Sequence, residues 1–227
     1  MYPEGTRCGH PPFCWVQKGL TIPSALRGVV STAWPSCFRE VRLKKVLRES
    51  ILKRRISHKK AEEDSKKIAE RFLQLPQLKK AKNILLYYPH KNEVDTRYII
   101  KQLTDSKRFN LYLPKVSKNE ILPVKVKDLS SLKKGYAGIM EPEGESVSPE
   151  KIDIVVVPAV AYDLKGHRLG YGKGYYDRFL KSTQALKVGV AYDFQVVDQL
   201  PVEEHDIPVD LIITPTRIIK TKEDEER

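Results

Sequence analysis

The segment that most restricts the fold is a continuous apolar run at residues 152–157, Ile-Asp-Ile-Val-Val-Val, which Pro158 ends. β-branched residues without polar alternation are typical of a strand that is buried on both faces of a parallel sheet. Similar short runs predict further strands, and helical patterns fall between them. The predicted strands are 83–88, 109–113, 121–127 (an edge strand), 187–191 and 211–214, and the predicted helices between them are 94–103 and 174–181.

This alternation of strands and helices predicts an α/β fold. We expect a three-layer sandwich with a mainly parallel central sheet and helices on both faces. A chain of 227 residues is long enough for one such domain. No apolar run reaches the length of about 18 residues that a membrane-spanning helix needs, so we expect no membrane association.

Two basic helices are predicted before the first strand. Leu43, Leu47 and Ile51 recur every four residues and predict one packed face, and a second helix is predicted from Ala61 to Leu75, before Pro76. Residues 41–82 contain fifteen Lys or Arg residues against five Asp or Glu, so they supply most of the net charge of +12. A surface of this kind attracts polyanions such as nucleotides or nucleic acids.

The two ends of the chain differ from its middle. Residues 1–39 contain five prolines, all three cysteines and both tryptophans, and they show no sustained helical or strand period. We interpret 1–39 as a disordered extension, 40–221 as a single α/β domain and 222–227 as a charged tail. The cysteine spacings match no metal site, and the absence of cysteine after residue 39 fits a reducing, cytoplasmic location.

The segment 168–177, Arg-Leu-Gly-Tyr-Gly-Lys-Gly-Tyr-Tyr-Asp, carries the strongest functional signal. It lies between the strand at 152–157 and a predicted helix, and ligands of open α/β sheets bind beyond the carboxyl ends of strands. Alternating glycines let a backbone bend and present N–H groups to an anion. Arg168 and Lys173 add positive charge, and Asp177 could hold Mg²⁺. These residues predict a phosphate site that is neither a Walker A loop nor a Rossmann loop.

Four segments together resemble the 5-formyltetrahydrofolate cyclo-ligase (5,10-methenyltetrahydrofolate synthetase) family. The specific one is Arg168-Leu-Gly-Tyr-Gly-Lys-Gly-Tyr-Tyr-Asp-Arg178, with the preceding block at 157–163 and Gly166. Three weaker segments agree in order, and they are Lys44-Lys-Val-Leu-Arg48, Tyr88-Pro-His-Lys-Asn-Glu-Val-Asp-Thr96 and Glu204-His-Asp-Ile-Pro-Val-Asp210. Where some members carry Arg between the first two glycines, this chain has Tyr171.

The resemblance implies ATP-dependent conversion of 5-formyltetrahydrofolate to 5,10-methenyltetrahydrofolate, with Arg168 and Lys173 as catalytic residues. It implies a folate site with Tyr88, Glu93 and Tyr175, and Mg²⁺ ligands at Asp177 and Asp206. The implied ATP site consists of Lys44, Lys45, Arg48, Arg168, Leu169, Gly170, Tyr171, Gly172, Lys173, Gly174, Tyr175 and Tyr176. We expect ATP and the folate as binding partners, no nucleic acid, and a monomer.

Each assignment has an alternative in the residues themselves. Lys44 and Arg48 could form a solvated helix face, and Glu93 could stabilise the start of the following helix. Asp206 could cap a turn, with Asp210 as another possible metal ligand, and Tyr176 could be a core residue. The alternative function is a nucleic-acid-binding protein that uses the basic helices at 41–82.

Overall fold

The computed structural model of the chain describes residues 36–118, 120–126, 129–135, 138–203 and 205–221. The predicted tail at 222–227 and residues 1–35 of the predicted extension lie outside the described residues. The described residues form four α-helices: α1 (Ser36–Ile56), α2 (Ala61–Leu73), α3 (Arg97–Asp105) and α4 (Tyr175–Lys181). The strands are β1 (Asn83–Leu85), β2 (Asn110–Ser117), β3 (Glu120–Lys125), β4 (Lys133–Lys134), β5 (Met140–Glu141), β6 (Ile154–Val157), β7 (Ala161–Asp163), β8 (Arg168–Leu169), β9 (Leu186–Val190), β10 (Val196–Val197), β11 (Leu211–Ile213) and β12 (Ile218–Lys220).

The central sheet has seven strands in the order β12-β11-β9-β6-β1-β2-β3. The five inner strands are parallel, whereas β3 and β12 pair antiparallel with β2 and β11 at the two edges. Strand β6 lies in the middle, where it pairs Ile154 with Ile84 of β1 and Val155 with Lys187 of β9. The predicted parallel sheet is therefore confirmed, and the predicted edge strand at 121–127 is β3.

Helices cover both faces of this sheet. Ile154 and Val156 point into a core that includes Ile68 and Phe72 of α2 and Ile99 of α3. Val155 and Val157 of the same strand point into a second core on the opposite face, with Phe179 and Leu180 of α4. Because successive side chains of a strand face opposite sides, one run of four apolar residues serves both cores. The fold is the expected three-layer sandwich.

A smaller sheet, in the order β10-β7-β8, follows the carboxyl end of β6 and carries α1. Leu47 and Ile51 of α1 pack on Ala161, Leu169 and Leu200. The predicted apolar stripe of α1 is thus confirmed for Leu47 and Ile51, and the sheet that receives it was not predicted. Its strands are too short to show a period in the sequence. This packing places α1 near the carboxyl ends of the parallel strands.

Several helix boundaries differ from the prediction. Helix α1 begins at Ser36, within the predicted extension, and α2 ends at Leu73 rather than Leu75 because a 3₁₀ turn starts at Pro76. Helix α3 begins at Arg97 rather than Val94. The Thr96 hydroxyl donates to the Tyr87 carbonyl oxygen, so the residues before Arg97 are held as a loop instead. None of the described helices combines the length and apolar character needed to cross a lipid bilayer.

Candidate functional site

The glycine loop at 170–174 has an open surface. Gly172 and Gly174 have φ angles of 89° and 67°, which favour glycine. A Cβ added at Gly170 or Gly172 would meet no heavy atom within 4 Å among the residues that the structure describes. Lys173 is exposed on this loop, and α4 begins directly after Gly174. The loop therefore leaves open space above its backbone.

Arg168 lies beneath the loop, with its side chain only 5% exposed. Its guanidinium donates to the carbonyl oxygen of Ile207 at 2.6 Å and to the Asp177 carboxylate. These contacts connect β8, which leads into the loop, to Ile207 and to the first turn of α4. In this arrangement Arg168 positions Asp177, and its predicted contact with phosphate stays a prediction.

Helix α1 contacts the glycine loop directly. Arg48 Nε donates to the carbonyl oxygen of Gly170 at 3.0 Å, across 122 residues of sequence. Lys44 forms an ion pair with Glu203 at 2.7 Å, and Lys45 is exposed. The structure thus brings the predicted basic helix motif to the predicted phosphate loop, with Arg48 as the residue that makes the contact.

The loop after β1 forms the other side of the site. The Tyr87 hydroxyl donates to the Val94 carbonyl oxygen, and the Thr96 hydroxyl returns a bond to the Tyr87 carbonyl oxygen. The Asp95 N–H donates to the Ser65 hydroxyl of α2. Tyr88 is partly buried against the core of that face. This loop is therefore held by hydrogen bonds among its own residues and to α2.

Glu93 occupies the centre of the site. Its carboxylate accepts a hydrogen bond from the His90 N–H at 3.0 Å and another from the Tyr171 hydroxyl at 3.0 Å. Burial raises the pKa of Glu93, although the His90 N–H, Arg55 and Tyr171 all oppose this rise. Among the described contacts, Glu93 makes no hydrogen bond to the amino end of α3, where the Arg97 N–H donates to Asp95. The Glu93 carboxylate faces the glycine loop instead.

Arg55 belongs to the site and was missed in the sequence. It is 2% exposed and donates from Nε to the Asn92 carbonyl oxygen and from Nη1 to the Tyr171 hydroxyl. A signal was present in the sequence, because Arg55 continues the four-residue spacing of Leu43, Leu47 and Ile51. An arginine in line with a packed stripe is buried with it, and a buried cation needs partners.

The two tyrosines at the start of α4 differ in their surroundings. Tyr175 packs at the edge of the second core, with the Arg178 guanidinium 5.3 Å from the centre of its ring. Tyr176 also packs there, but its hydroxyl is buried without a hydrogen-bond partner among the described residues. Burial raises the pKa of Tyr176, and the charge of Glu93 adds to the rise. Tyr176 is thus both a core residue and a polar group near Glu93.

The predicted metal ligands have different hydrogen-bond partners. Asp177 is paired with Arg168, whereas Asp206 accepts from the Glu203 N–H at 2.8 Å and so closes a turn. Asp210 lies at the amino ends of β9 and β11, where it accepts a hydrogen bond from the Lys187 N–H. The glycine loop lies at the other ends of the strands. Within the described ranges no three His, Cys, Asp or Glu side chains form a group that could hold a metal.

Known proteins are similar to this chain in sequence. The sequence model of the 5-formyltetrahydrofolate cyclo-ligase family matches residues 40–215. The 5-formyltetrahydrofolate cyclo-ligase of Escherichia coli K12 is 33% identical over 175 residues, which cover 73% of this chain and 96% of that protein. The Haemophilus influenzae protein of the same name is 36% identical over 151 residues, covering 63% of this chain and 80% of the relative.

Two solved structures agree with these matches. The 5,10-methenyltetrahydrofolate synthetase of Aquifex aeolicus has a TM-score of 0.74 and 44% identity, over 82% of this chain and 96% of its own. The Mycoplasma pneumoniae synthetase has a TM-score of 0.62 and 30% identity, over 76% and 98%. The family match over residues 40–215 includes most of α1, the loop after β1 and the glycine loop, and on this evidence the chain belongs to the 5-formyltetrahydrofolate cyclo-ligase family.

Proposed function

We propose that this chain catalyses the ATP-dependent conversion of 5-formyltetrahydrofolate to 5,10-methenyltetrahydrofolate, with release of ADP and phosphate. The observation that carries the proposal is the convergence of α1, the glycine loop and Glu93 at the carboxyl ends of the parallel strands. Arg48 bonds to Gly170, and Tyr171 bonds to Glu93, so a phosphate site and a carboxylate site share one loop. A phosphoryl donor and a heterocyclic acceptor could meet there.

The nucleotide would lie on the glycine side of the site. The open space above Gly170 and Gly172 fits phosphate oxygens, which exposed backbone N–H groups and Lys173 would hold. Lys44, Lys45 and Arg48 place further positive charge on the adjoining face of α1. Since Arg48 and Arg55 make bonds inside the protein, α1 fits this site better than a nucleic-acid surface.

The folate would lie on the side of Glu93. A carboxylate accepts hydrogen bonds from the amino and ring N–H groups of a pterin, and Tyr88 and Tyr175 would provide ring surfaces for the folate. The Tyr176 hydroxyl is buried and lacks a protein partner within the described part of the chain. A polar atom of the bound folate would satisfy it, because an unpaired buried hydroxyl is costly.

The chemistry follows from the weakness of the formyl group as an electrophile. Transfer of the γ-phosphoryl group from ATP to the formyl oxygen breaks the bond to ADP and leaves phosphate as a good leaving group. The N10 nitrogen then attacks the formyl carbon, loses its proton, and the carbon–oxygen bond breaks to release phosphate. The residues contribute position and charge, with Lys173 and the loop N–H groups facing the transferring phosphoryl group.

The carboxylates near the loop suit Mg²⁺ in their chemistry. Mg²⁺ in nucleotide sites is typically held by one or two carboxylates together with phosphate oxygens, and the ion pair with Arg168 uses only Oδ1 of Asp177. We therefore propose Asp177 and Asp206 as its protein ligands, beside the nucleotide. When bound, the ion would neutralise the charge that develops on the phosphates.

The test is an absorbance assay in the methenyl-folate band with purified protein, 5-formyltetrahydrofolate, ATP and Mg²⁺. We expect a rise in absorbance that requires all four components and equals the ADP released. A folded protein that binds ATP but gives no rise would disprove the folate reaction and leave the nucleotide site. Retention of DNA or RNA, sensitive to salt and without turnover, would instead favour the nucleic-acid function.

A further inference from the structure

The proposed reaction leaves Arg55 without a role. This residue lies in the last turn of α1, and only 2% of its surface is exposed. Its neighbours Lys53 and Arg54 on the same helix are exposed, as basic residues on a helix surface usually are. Burying a charge carries a large desolvation cost unless partners compensate for it, so its partners show what the burial achieves.

Two hydrogen bonds of Arg55 tie α1 to the loop after β1. Arg55 Nε donates to the Asn92 carbonyl oxygen at 2.9 Å, and the Asn92 side-chain amide donates back to the Arg55 carbonyl oxygen at 3.3 Å. Glu93 is the next residue of that loop. The reciprocal pair therefore fixes the backbone from which the Glu93 carboxylate projects.

A third bond ties Arg55 to the glycine loop. Arg55 Nη1 donates to the Tyr171 hydroxyl at 3.0 Å, and that hydroxyl donates to Glu93 Oε1 at 3.0 Å. Although 51% of the surface of Tyr171 is exposed, burial of its hydroxyl raises its pKa to about 12. Tyr171 therefore keeps its proton at working pH, and it can donate to Glu93 while it accepts from Arg55.

We propose that Arg55 is a positioning residue of the reaction: through Asn92 and the Tyr171 hydroxyl it fixes the Glu93 carboxylate in the geometry that receives the folate. The inference rests on the proposed function for the identity of the substrate. Arg55 supports Glu93 from two directions, because Asn92 holds its backbone and Tyr171 holds its carboxylate oxygen. Its positive charge also opposes the effect of burial on the pKa of Glu93.

The network should affect the folate more than the nucleotide. Arg48 anchors the glycine loop independently, through the carbonyl oxygen of Gly170. Loss of the Tyr171 hydroxyl or of the Arg55 guanidinium therefore leaves one attachment of that loop to α1 in place. Glu93 has no such second connection to α1 among the described contacts. The His90 N–H still holds Oε2 and the Tyr192 hydroxyl still holds the carbonyl oxygen, so the loss falls on Oε1 and on the backbone that Asn92 fixes.

The experiment measures the separate KM values for 5-formyltetrahydrofolate and ATP, with kcat, for Arg55→Gln, Arg55→Lys, Tyr171→Phe and the double variant Arg55→Gln/Tyr171→Phe. Arg54→Gln is the matched control, because it removes the same charge one residue away at an exposed position. Binding of 5-formyltetrahydrofolate and of a non-hydrolysable ATP analogue is titrated separately for each protein.

We expect Arg55→Gln to raise the KM for the folate about 10- to 100-fold, as for the loss of hydrogen bonds from a charged donor. Tyr171→Phe should raise it about 10-fold, the effect of losing one hydrogen bond to a carboxylate, and both should change the KM for ATP less than threefold. The double variant should resemble Arg55→Gln, because the two residues act in one chain of bonds. Arg55→Lys should recover part of the loss, and Arg54→Gln should behave as wild type.

Equal rises in the two KM values, or a wild-type folate KM in Tyr171→Phe, would overturn the positioning role. If Arg55→Gln does not fold, Tyr171→Phe decides the question, since its hydroxyl is on a loop. Wild-type protein that binds 5-formyltetrahydrofolate without turnover would defeat the proposed reaction alone, and the binding titrations would still test Arg55. Wild-type protein that does not bind the folate at all would overturn both.

Discussion

The two loops that enclose the site are built differently. The loop after β1, residues 86–96, is tied down by its own tyrosine, threonine and glutamate side chains and by Arg55. The glycine loop, residues 170–174, has two positive φ angles and open space above its backbone. Arg48 and Tyr171 attach it to the rest of the site at two points.

The difference indicates which ligand each loop is built for. A pterin is recognised by a few directional hydrogen bonds, which need an acceptor fixed in advance. Phosphates carry several equivalent oxygens, so a backbone with free space and mobile cations can hold them once they arrive. We therefore expect substitutions in the loop after β1 to act on the folate. Substitutions in the glycine loop should act on ATP, except at Tyr171, whose hydroxyl bonds to Glu93.

The largest effect should come from Lys173→Ala. It removes the exposed cation of the glycine loop, so kcat/KM for ATP should fall about 100- to 1000-fold, as when a group that stabilises transition-state charge is lost. Steady-state kinetics with varied ATP measures this. Lys181→Ala, which removes an exposed lysine from the end of α4, is the control. Unchanged kinetics in folded Lys173→Ala would show that the loop does not hold phosphate.

Glu93→Gln should act on the other substrate. It removes the negative charge that receives the pterin N–H groups, so kcat/KM for the folate should fall about 10- to 100-fold while the KM for ATP changes little. Because burial raises the pKa of Glu93, the ionised form opposes folding above the pKa of an unfolded glutamate. The melting temperature at neutral pH should therefore stay the same or rise.

Calorimetry or circular dichroism provides the stability measurement for Glu93→Gln, and Glu150→Gln is the control, at an exposed position before β6. A large fall in melting temperature would show that Glu93 serves the fold instead of the substrate. An equal fall in kcat/KM for ATP and for the folate would contradict the proposal that the two loops bind different ligands.

The pH profile sharpens the same comparison. Since the pKa of Glu93 is raised, kcat/KM for the folate should decline on the acid side at a pH above the ordinary glutamate value, as the carboxylate takes up a proton. The groups that oppose this shift are the His90 N–H, Arg55 and Tyr171. Tyr171→Phe should therefore move the acid limb to higher pH, and a limb that does not move would contradict this assignment.

The sequence predicted the architecture better than the contacts within the site. Burial is visible directly in the β-branched run of β6 and in the spacing of Leu47 and Ile51. Each of these side chains faces a core, and an apolar residue stands at each position for that reason. The Tyr171 hydroxyl that bonds to Glu93 lies 78 residues away, and Arg55, which bonds to Tyr171, is 116 residues from it, so no local pattern records such pairing. The short strands β7, β8 and β10 exist through tertiary contacts alone, so they left no period to detect.

Tyr176→Phe should have smaller effects, which differ in direction between stability and activity. Its hydroxyl is buried without a partner among the described residues, so replacement by hydrogen should leave the free energy of unfolding unchanged or raise it by about 1 kcal/mol. If the folate supplies the missing partner, kcat/KM for the folate should fall about 3- to 10-fold. Denaturant unfolding and folate kinetics test the two parts, and a destabilised but fully active variant would contradict both.

The smallest effects should separate two glycines of the same loop. Gly170 and Gly172 both have space for a Cβ, but only Gly172 has a positive φ angle, of 89°. Gly172→Ala therefore strains the backbone by about 1–2 kcal/mol, and this strain should weaken ATP binding by reshaping the loop. Gly170→Ala adds the same methyl group without strain, so any loss of ATP affinity there reports direct contact between ligand and loop. Titration with an ATP analogue distinguishes the cases, and undiminished affinity in both variants would mean that phosphate does not approach this backbone.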